Sequence, residues 1–245
     1  MDTRKKIKDN MKSLINTEDY DSLASAEDIR VVYDKTTDLV WIDTPQPLCS
    51  FVDLGLPSGL KWASCNVGAE KPEDFGLYFA WGETQGYSGI TDEKEFSWAD
   101  YKLCGGSNST LTKYNYNSSN GTVDTLTTLE QVDDAAYQSD NTCRMPTKAE
   151  LEELKANTTS RWETLNGVNG IRFTSKTNGN SIFVPIAGYC YNGSVNNVGS
   201  YGGLWSSSLG ESNSRHAWGL FFNSGGVNMS IGDRCRGWTV RPVKE

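Results

Sequence analysis

The contrast between apolar and polar positions is sharpest in the C-terminal part of the chain. Residues 217–222 are continuously apolar, which predicts a strand buried on both faces. Residues 223–226 tolerate a positive φ, so we expect the chain to turn back there and form a hairpin with the segment that follows. The flanking stretches 212–216 and 228–236 are polar and diverse. This contrast predicts a rigid scaffold that displays a surface.

Similar patterns predict elements further upstream. Apolar residues recur at helical spacing in residues 1–16, which predicts a short amphipathic helix. Residues 31–33 and 39–42 favour a β-hairpin, and the Pro-rich stretch 43–47 indicates a linker or a domain entry. Residues 51–69 predict two short strands that are joined by a Pro-Ser-Gly turn.

The middle of the chain alternates between apolar and polar segments. A proline with acidic neighbours in 71–75 predicts a helix start, and the aromatic segment 76–83 predicts core. The polar stretch 84–128 is interpreted as a long surface insertion. Thr147 and Glu150 have the spacing of a capping box, which predicts a helix that buries Leu151 and Leu154.

A further pair of strands is predicted after this helix. Residues 170–174 and 181–188 are apolar or alternating, and they flank an Asn-Gly turn at 178–179. Proline cannot donate a backbone hydrogen bond, so we expect Pro185 at a strand edge or a bulge.

Composition and charge exclude several classes of partner. The chain has 245 residues and a formal charge of −8, so nucleic acid and anionic membrane surfaces would repel it. No apolar run is long enough to span a membrane, and the N-terminus lacks the apolar region of a signal peptide. We therefore expect no nucleic-acid partner, no membrane insertion and no transmembrane segment.

The cysteines and the single histidine carry no recognisable catalytic or metal motif. The six cysteines are scattered without a C-x-x-C pair, so no metal site and no cofactor are expected. They are interpreted as thiols, with a Cys65–Cys143 disulfide as the alternative. His216 has no partner at the spacing of a catalytic triad, which favours a displayed polar residue.

Six segments together resemble a known family of domains. They are residues 52–69, 78–83, 144–150, 188–189, 204–208 and 240–243. They are similar to C-type-lectin-fold domains, among them the Fibrobacter-type paralogous domains and the formylglycine-generating-enzyme-like branch. The resemblance covers residues 51–245 and implies an α+β, C-type-lectin-like fold. It divides the chain into an N-terminal attachment or oligomerisation element, 1–47, and a ligand-binding domain, 48–245.

The C-terminal stretch also resembles the variable region of proteins that retroelements diversify in gut bacteria and their phages. In such proteins a lectin-like scaffold displays the altered residues for ligand binding, and here the variable region would be about 189–238. The resemblance implies a displayed face made of these residues: Tyr191, Asn192, Asn196, Asn197, Ser212, Asn213, Ser214, Arg215, His216, Trp218, Phe222, Asn228, Ile231, Gly232, Asp233 and Arg236.

The residue types of the presumed variable region are consistent with changes at adenines in its codons. Randomising the adenines of an AAC codon never gives Trp, Met, Lys, Glu or Gln. Residues outside that accessible set belong to the presumed frame: Trp205, Trp218, Met229 and Trp238. Residues 212–216, 231–233 and 235–236 lie inside the set, although an ordinary surface loop would also satisfy this test.

Aromatic residues of the same region have two interpretations. Tyr189, Tyr191, Trp218 and Trp238 either belong to the core or line the displayed face. Trp205 and Trp238 lie inside strand patterns, and for them core is favoured.

Two functional motifs of the lectin-fold family are not found in this sequence, which argues against the functions that depend on them. The Glu-Pro-Asn or Gln-Pro-Asp motif and the Trp-Asn-Asp motif of calcium-dependent sugar sites are absent. The paired cysteines of the formylglycine-generating branch cannot be placed, so enzymatic activity is not expected. The leading hypothesis is a display protein for a protein or cell-surface ligand, on a virion or cell surface. The alternative is an adhesion or structural module of fixed specificity, in a phage tail or cell-surface assembly, with oligomers formed through residues 1–47.

Overall fold

The chain consists of two compact units, Met1–Leu48 and Cys49–Glu245. The computed structural model describes the backbone of residues 30–34 and 39–43 and the whole of residues 50–245. The first hairpin is confirmed, since β1 (Arg30–Asp34) and β2 (Leu39–Asp43) pair in antiparallel fashion. The helix predicted in residues 1–16 lies outside the described residues.

In the part of the chain that the structure describes, the fold is mixed and rich in strands, with few helices, which is compatible with the α+β class. The strands of the second unit are β3 (Phe51–Asp53), β4 (Lys61–Ala63), β5 (Tyr78–Phe79), β6 (Thr158–Leu165), β7 (Val168–Ser175), β8 (Ser181–Pro185), β9 (Tyr189–Tyr191), β10 (Ser194–Asn196), β11 (Tyr201–Leu209), β12 (His216–Asn223), β13 (Gly226–Asp233), β14 (Trp238–Thr239) and β15 (Val243–Lys244). The helices are α1 (Ala135–Ser139) and α2 (Lys148–Asn157), and there are 3₁₀ turns at Ser118–Asn120 and Gln131–Asp133.

The largest sheet in the described part of the chain has five strands in the order β13-β12-β11-β14-β5. β11 and β14 pair in parallel, whereas the other neighbours in this sheet are antiparallel. Two three-stranded sheets have the orders β6-β7-β8 and β15-β4-β3, and β9 pairs with β10. The predicted hairpins within 51–69 and around 178–179 and 223–226 are confirmed.

β12 is buried on both faces, as predicted. Leu220 and Phe222 belong to the hydrophobic cluster that also contains Leu151 and Leu154 of α2. Phe221, which points to the opposite face, belongs to a second cluster with Trp205 and Trp238. Because both faces of the strand are covered, its apolar run does not alternate.

The capping box of α2 is confirmed. The Thr147 hydroxyl accepts a hydrogen bond from the Glu150 backbone N–H at 3.3 Å, and Glu150 Oε2 accepts one from the Thr147 N–H at 2.7 Å. Arg144 Nη2 donates a hydrogen bond to Glu150 Oε1 at 2.7 Å. Pro185 also lies where it was expected, as the last residue of the edge strand β8.

Most residues of 84–128 are exposed or half-buried, as the interpretation of a surface insertion implies, but the segment also has buried residues that were not predicted. Phe96, Tyr101, Leu111 and Tyr114 are all at most 2% exposed and contribute to the core. Polar residues around them form hydrogen bonds within the segment. The Asn115 side chain, for example, donates to two backbone carbonyl oxygens. Buried residues can therefore occur within a segment of polar composition, because its polar groups form hydrogen bonds within the protein.

Two further local expectations differ from the structure. Residues 71–75 form a turn rather than a helix start, because the Asp74 carboxylate accepts the backbone N–H groups of Glu70 and Lys71. β6 was not predicted, although it forms a hairpin with β7 across Asn166 and Gly167. Both residues of that turn have positive φ, which is the signature of an Asn-Gly hairpin turn.

The thiol interpretation is confirmed for Cys143, and a Cys65–Cys143 disulfide is not formed. The Cys143 Sγ donates to the Asp140 carbonyl oxygen at 3.2 Å, and burial raises the pKa of this thiol to about 12. Cys104, Cys190 and Cys235 are also free thiols. Across the described residues, none of the helices has the length and apolar character required to cross a bilayer.

Candidate functional site

A surface cavity of about 380 Å³ lies where several parts of the C-terminal region meet. It is lined by Tyr189, Asn197, Ser200, Tyr201, Phe221, Ile231, Gly232, Arg236 and Trp238. These residues come from β9, β11, β12, β13 and β14 and from the loops beside β10 and β14. Most of the lining is therefore held by paired strands, which fix the positions of the side chains.

Aromatic rings pack against one another at the base of this cavity. The Trp238 ring is stacked on Tyr189, with centroids 4.8 Å apart, and meets the edge of Phe221 at 4.8 Å. Tyr201 also meets Trp238 edge-on, at 5.7 Å. Trp238 and Phe221 are buried, whereas the two tyrosines are half-buried. The rings thus form a rigid base with two tyrosines open to solvent.

A glycine on β11 is necessary for this packing. A Cβ atom at Gly203 would lie 2.5 Å from Phe221 Cδ1 and 2.9 Å from Trp238 Cε3. Real side chains do not approach so closely, and the obstructing atoms belong to rigid rings. Any larger residue at position 203 would displace the base of the cavity.

Arg236 forms a charged wall of the cavity. Its guanidinium lies 4.5 Å from the centroid of the Tyr191 ring and 5.5 Å from that of Tyr189. Its Nη2 lies 3.0 Å from Asp233 Oδ2, and its Nε donates to the same oxygen at 3.1 Å. The positive charge is therefore largely offset within the protein, and the guanidinium plane is held by aromatic faces.

Asp233 connects two of the predicted site residues. It lies opposite His216 in the β12–β13 register, and His216 Nε2 is 3.2 Å from Asp233 Oδ1. The hydrogen bond from His216 and the nearby Arg236 charge hold the pKa of the Asp233 carboxyl below its ordinary value. His216 Nδ1 is buried and has no hydrogen-bond partner among the described residues.

The turn after β10 supplies part of the rim through Asn197 and Ser200. Asn192 and Asn197 both have positive φ, at 46° and 58°, a conformation that asparagine tolerates better than most residues. The backbone carbonyl of Asn197 accepts hydrogen bonds from the Ser200 hydroxyl and the Tyr201 N–H, each at 3.0 Å. These hydrogen bonds hold the backbone of the turn that carries Asn197.

The predicted site residues fall into separate groups. Asn197, Ile231, Gly232 and Arg236 line the cavity. Tyr191, Asp233 and His216 join them through the contacts of Arg236 and Asp233. The remaining surface residues do not line it: Asn192, Asn196, Ser212, Asn213, Arg215, Trp218 and Asn228.

Two of these outlying residues have partners elsewhere. Arg215 Nε donates to the Asn108 carbonyl oxygen at 3.0 Å, which ties the β11–β12 loop to the segment 84–128. Trp218 lies under the Lys148 ammonium, 4.0 Å from its ring centroid, at the start of α2. Both side chains are therefore used in packing rather than in the cavity.

The prediction that Phe222 and Ser214 belong to the displayed face is wrong. Phe222 is 1% exposed and packs in the core beside α2, because it alternates with Phe221 along β12. Ser214 is fully buried, and its hydroxyl bonds to the side chains of Asn115 and Asn120. Neither residue is accessible to a ligand.

The sequence interpretation missed Ser200, Tyr201 and Phe221 as cavity residues. A usable signal was the Gly202-Gly203 pair beside Tyr201, since glycines inside a strand indicate the close approach of another group. Trp238 was correctly expected to be buried, yet it also lines the cavity.

A larger cavity of about 460 Å³ lies elsewhere, beside Asp134, Cys143 and Arg144. Its buried polar groups already have partners. Asp134 accepts the backbone N–H groups of Ala136 and Met145, and Arg144 is paired with Glu150. The charged side chains Asp134 and Arg144 are therefore engaged within the protein.

Comparison with known proteins yields one family match. The model of a family described as a domain of unknown function (DUF8237) matches residues 127–243, a segment that contains every residue lining the aromatic cavity. No curated protein and no solved structure matches the chain.

Proposed function

We propose that this chain is a ligand-binding display protein with a C-type-lectin-like fold, whose exposed C-terminal residues are diversified by a retroelement. One observation carries the proposal. Four residues expected to vary, Asn197, Ile231, Gly232 and Arg236, surround a cavity whose base is made of packed aromatic rings. The ligand is a protein or another cell-surface molecule, and the protein acts by binding rather than by catalysis.

The division between base and rim supports this proposal. Trp238 and Phe221 are held by one another and by the space left at Gly203, so substitution there would disturb the sheet. Asn197 is an exposed turn residue, and Arg236 contacts mainly surface groups. Binding residues on a rigid frame can change without loss of the fold, which is what a diversified binder requires.

The fold assignment within the proposal has separate support. Residues 51–245 carry the segments that resemble C-type-lectin-fold domains, and the described architecture is a mixed, strand-rich α+β unit. The capped helix α2 packs against the central sheet beside Leu220 and Phe222. An architecture of this kind keeps the C-terminal strands fixed while loops and strand ends are displayed.

The test is the DNA sequence beside the gene. We expect a near-copy of the 3′ end whose mismatches fall at adenines, next to a reverse transcriptase gene. The mismatches should occur at codons of rim residues such as Asn197 and Arg236 and should spare Phe221 and Trp238. A flanking region without such a copy, or one with mismatches in the core codons, would contradict the proposal.

An adhesion module of fixed specificity is the second candidate, and one observation favours it. Asp233 bonds to both His216 and Arg236, so three of the candidate residues depend on each other. Independent randomisation of the three would often leave a charge without its partner. Binding of one conserved ligand by all natural copies of the gene would select this candidate over the first.

A further inference from the structure

We infer that the outer edge of β13 binds an extended segment of a protein ligand, which adds to the central sheet as a further strand. This inference rests on the proposed function, because it names the class of partner that the variable region holds. β13 pairs with β12 on one side and lies at the end of the strand order of its sheet. In an antiparallel pair every second residue turns its N–H and C=O away from the neighbouring strand, so the outer side of β13 is a row of donors and acceptors.

This row has no strand partner in the described part of the chain. Between Val227 and Gly232, the backbone–backbone hydrogen bonds within the described residues lead to β12 alone. The opposite edge of the same sheet is closed. There the Tyr78 N–H donates to the Tyr87 carbonyl oxygen at 2.8 Å, and the Tyr87 N–H donates to that of Tyr78 at 3.0 Å. The two edges of the sheet therefore differ, and the one at β13 is open to a further strand.

The sequence of β13 lacks the features that usually block pairing at an edge. Proteins protect long edges with lysine, proline, bulges or other charged residues. The other edge strand of eight residues in the described sheets, β6, carries Arg161 and Glu163, and the Arg161 side chain is 76% exposed. β13 is equally long, but its charged residue, Asp233, stands at its end and is paired with His216 and Arg236. An open edge of this length and low charge is suited to strand addition.

The strand is already held in the conformation that pairing requires. Val227 is buried, and Met229 packs against the hydrophobic cluster that contains Leu151 of α2. All eight residues of β13 keep their register with β12 without a bulge. A strand fixed in this way loses little conformational freedom when a partner pairs with it.

Recognition through the backbone suits a variable region. Asn228, Ile231, Gly232 and Asp233 are among the residues expected to vary, and all of them lie on β13. In strand addition the main-chain hydrogen bonds give affinity and the alternate side chains give specificity. Substitution at these positions would therefore change the choice of ligand and preserve the way in which it is held.

The aromatic cavity contributes to specificity in this arrangement. Ile231 and Gly232 belong to its lining. A strand that pairs with β13 lies about 4.8 Å from it, so part of the ligand segment runs beside the cavity. We expect one side chain of the segment to enter the cavity, where the Tyr201 and Phe221 rings favour an apolar or aromatic residue.

Charge favours a ligand over a second copy of the chain. Each copy has a formal charge of −8, so two copies that meet at β13 repel one another. A segment in which basic residues flank an apolar stretch is attracted by the same charge. The partner is therefore an extended, neutral to basic segment of a protein.

The experiment selects peptides on the full chain from a messenger-RNA display library of short random sequences. We expect enrichment of sequences with alternating apolar residues and with Lys or Arg. Fluorescence anisotropy gives Kd for a selected peptide and for versions of it that are N-methylated at one residue at a time. Methylation removes one backbone donor, so Kd should rise at least about tenfold at alternate positions and stay within about twofold at the positions between them.

Two serines provide matched variants of the protein. Ser230 on β13 and Ser160 on β6 are both exposed, and both lie on edge strands of eight residues. Ser230→Lys should raise Kd about tenfold, because lysine at an edge blocks strand pairing. Ser160→Lys is the control, and its Kd should stay within about twofold of the wild type. High salt screens simple charge repulsion of the peptide, and circular dichroism checks the fold of each variant.

Several outcomes would overturn the inference. They are a selection that enriches no peptide, N-methylation effects without an alternating pattern, or equal losses in Ser230→Lys and Ser160→Lys. Self-association of the free chain that Ser230→Lys abolishes, measured by analytical ultracentrifugation, would show that a second copy occupies the edge and would also overturn it. The proposed function has its own readout in the flanking DNA. A template copy together with a failed selection would leave that function standing and reject only strand addition.

Discussion

Two arginines, two residues apart, occupy opposite kinds of environment. Arg234 is fully buried, and its guanidinium donates to the Tyr101 hydroxyl and to the carbonyl oxygens of Lys113, Tyr114 and Ser214. Arg236 is partly exposed and pairs with Asp233 at the cavity. Arg234 therefore holds the interior together, whereas Arg236 shapes the surface.

The contrast lies in how each charge is stabilised. Within the described residues Arg234 has no carboxylate partner, so its charge is stabilised by carbonyl dipoles and by the rings of Trp81, Tyr101 and Tyr114. These contacts stabilise the charge strongly only while water is excluded from the site. Arg236 has water as an alternative partner, and its loss should cost much less. Partners and burial, rather than residue type, decide which arginine is structural.

The largest effect is expected from Arg234→Met. The change leaves the carbonyl oxygens of Tyr114 and Ser214 and the Tyr101 hydroxyl, all in buried contacts, without this donor, together with the part-buried carbonyl oxygen of Lys113. The free energy of unfolding should therefore fall by about 3–5 kcal/mol. Urea denaturation followed by tryptophan fluorescence measures this loss. Arg234→Lys keeps the charge but not the fork of donors, and it should recover only part of the stability. A loss below about 1 kcal/mol in Arg234→Met would show that the two arginines are equivalent.

A smaller effect on stability is expected from Arg236→Ala. The residue is half-exposed and its ion pair is screened, so unfolding should become easier by less than about 1 kcal/mol. The same denaturation series measures it. A loss as large as that of Arg234→Met would instead place Arg236 in the structural network.

The smallest effect is a pH dependence at Asp233. Its folded pKa is depressed by the His216 hydrogen bond and by Arg236, so its contribution is fully present above its unfolded pKa of about 4. That contribution is lost as the pH falls through the lower, folded value. The stability difference between the wild type and Asp233→Asn should therefore shrink between about pH 5 and pH 3. A difference that stays constant over this range would contradict the assignment of the shift to Asp233.

Local signals in the sequence predicted the regular elements well. The capping box at Thr147 and the Gly-rich turn after β12 depend on neighbouring residues only, and both are confirmed. The buried residues Tyr101 and Tyr114 of the segment 84–128 were missed because a partner of theirs, Arg234, lies far along the chain. Polar composition cannot distinguish a solvated loop from one whose polar groups bond to distant partners.

The site was predictable only in part for a similar reason. Cavity residues such as Asn197 and Arg236 lie at turns or strand ends, where polar residues indicate exposure. Phe222 was misplaced because a strand buried on both faces has no alternation from which to assign its side chains. The pairing of Tyr189 with Trp238 requires the register of separate strands, which no local pattern contains.

The buried guanidinium also has a consequence during synthesis on the ribosome. Arg234 follows Tyr114 by 120 residues and Tyr101 by 133 residues. At translation rates of about 5–20 residues per second, the tyrosines leave the ribosome on the order of ten seconds before the residue that anchors them. Their rings and carbonyl groups stay without this partner during that interval. The chain therefore completes its core late, and holdase chaperones have several seconds in which to bind the nascent segment around residues 101–114.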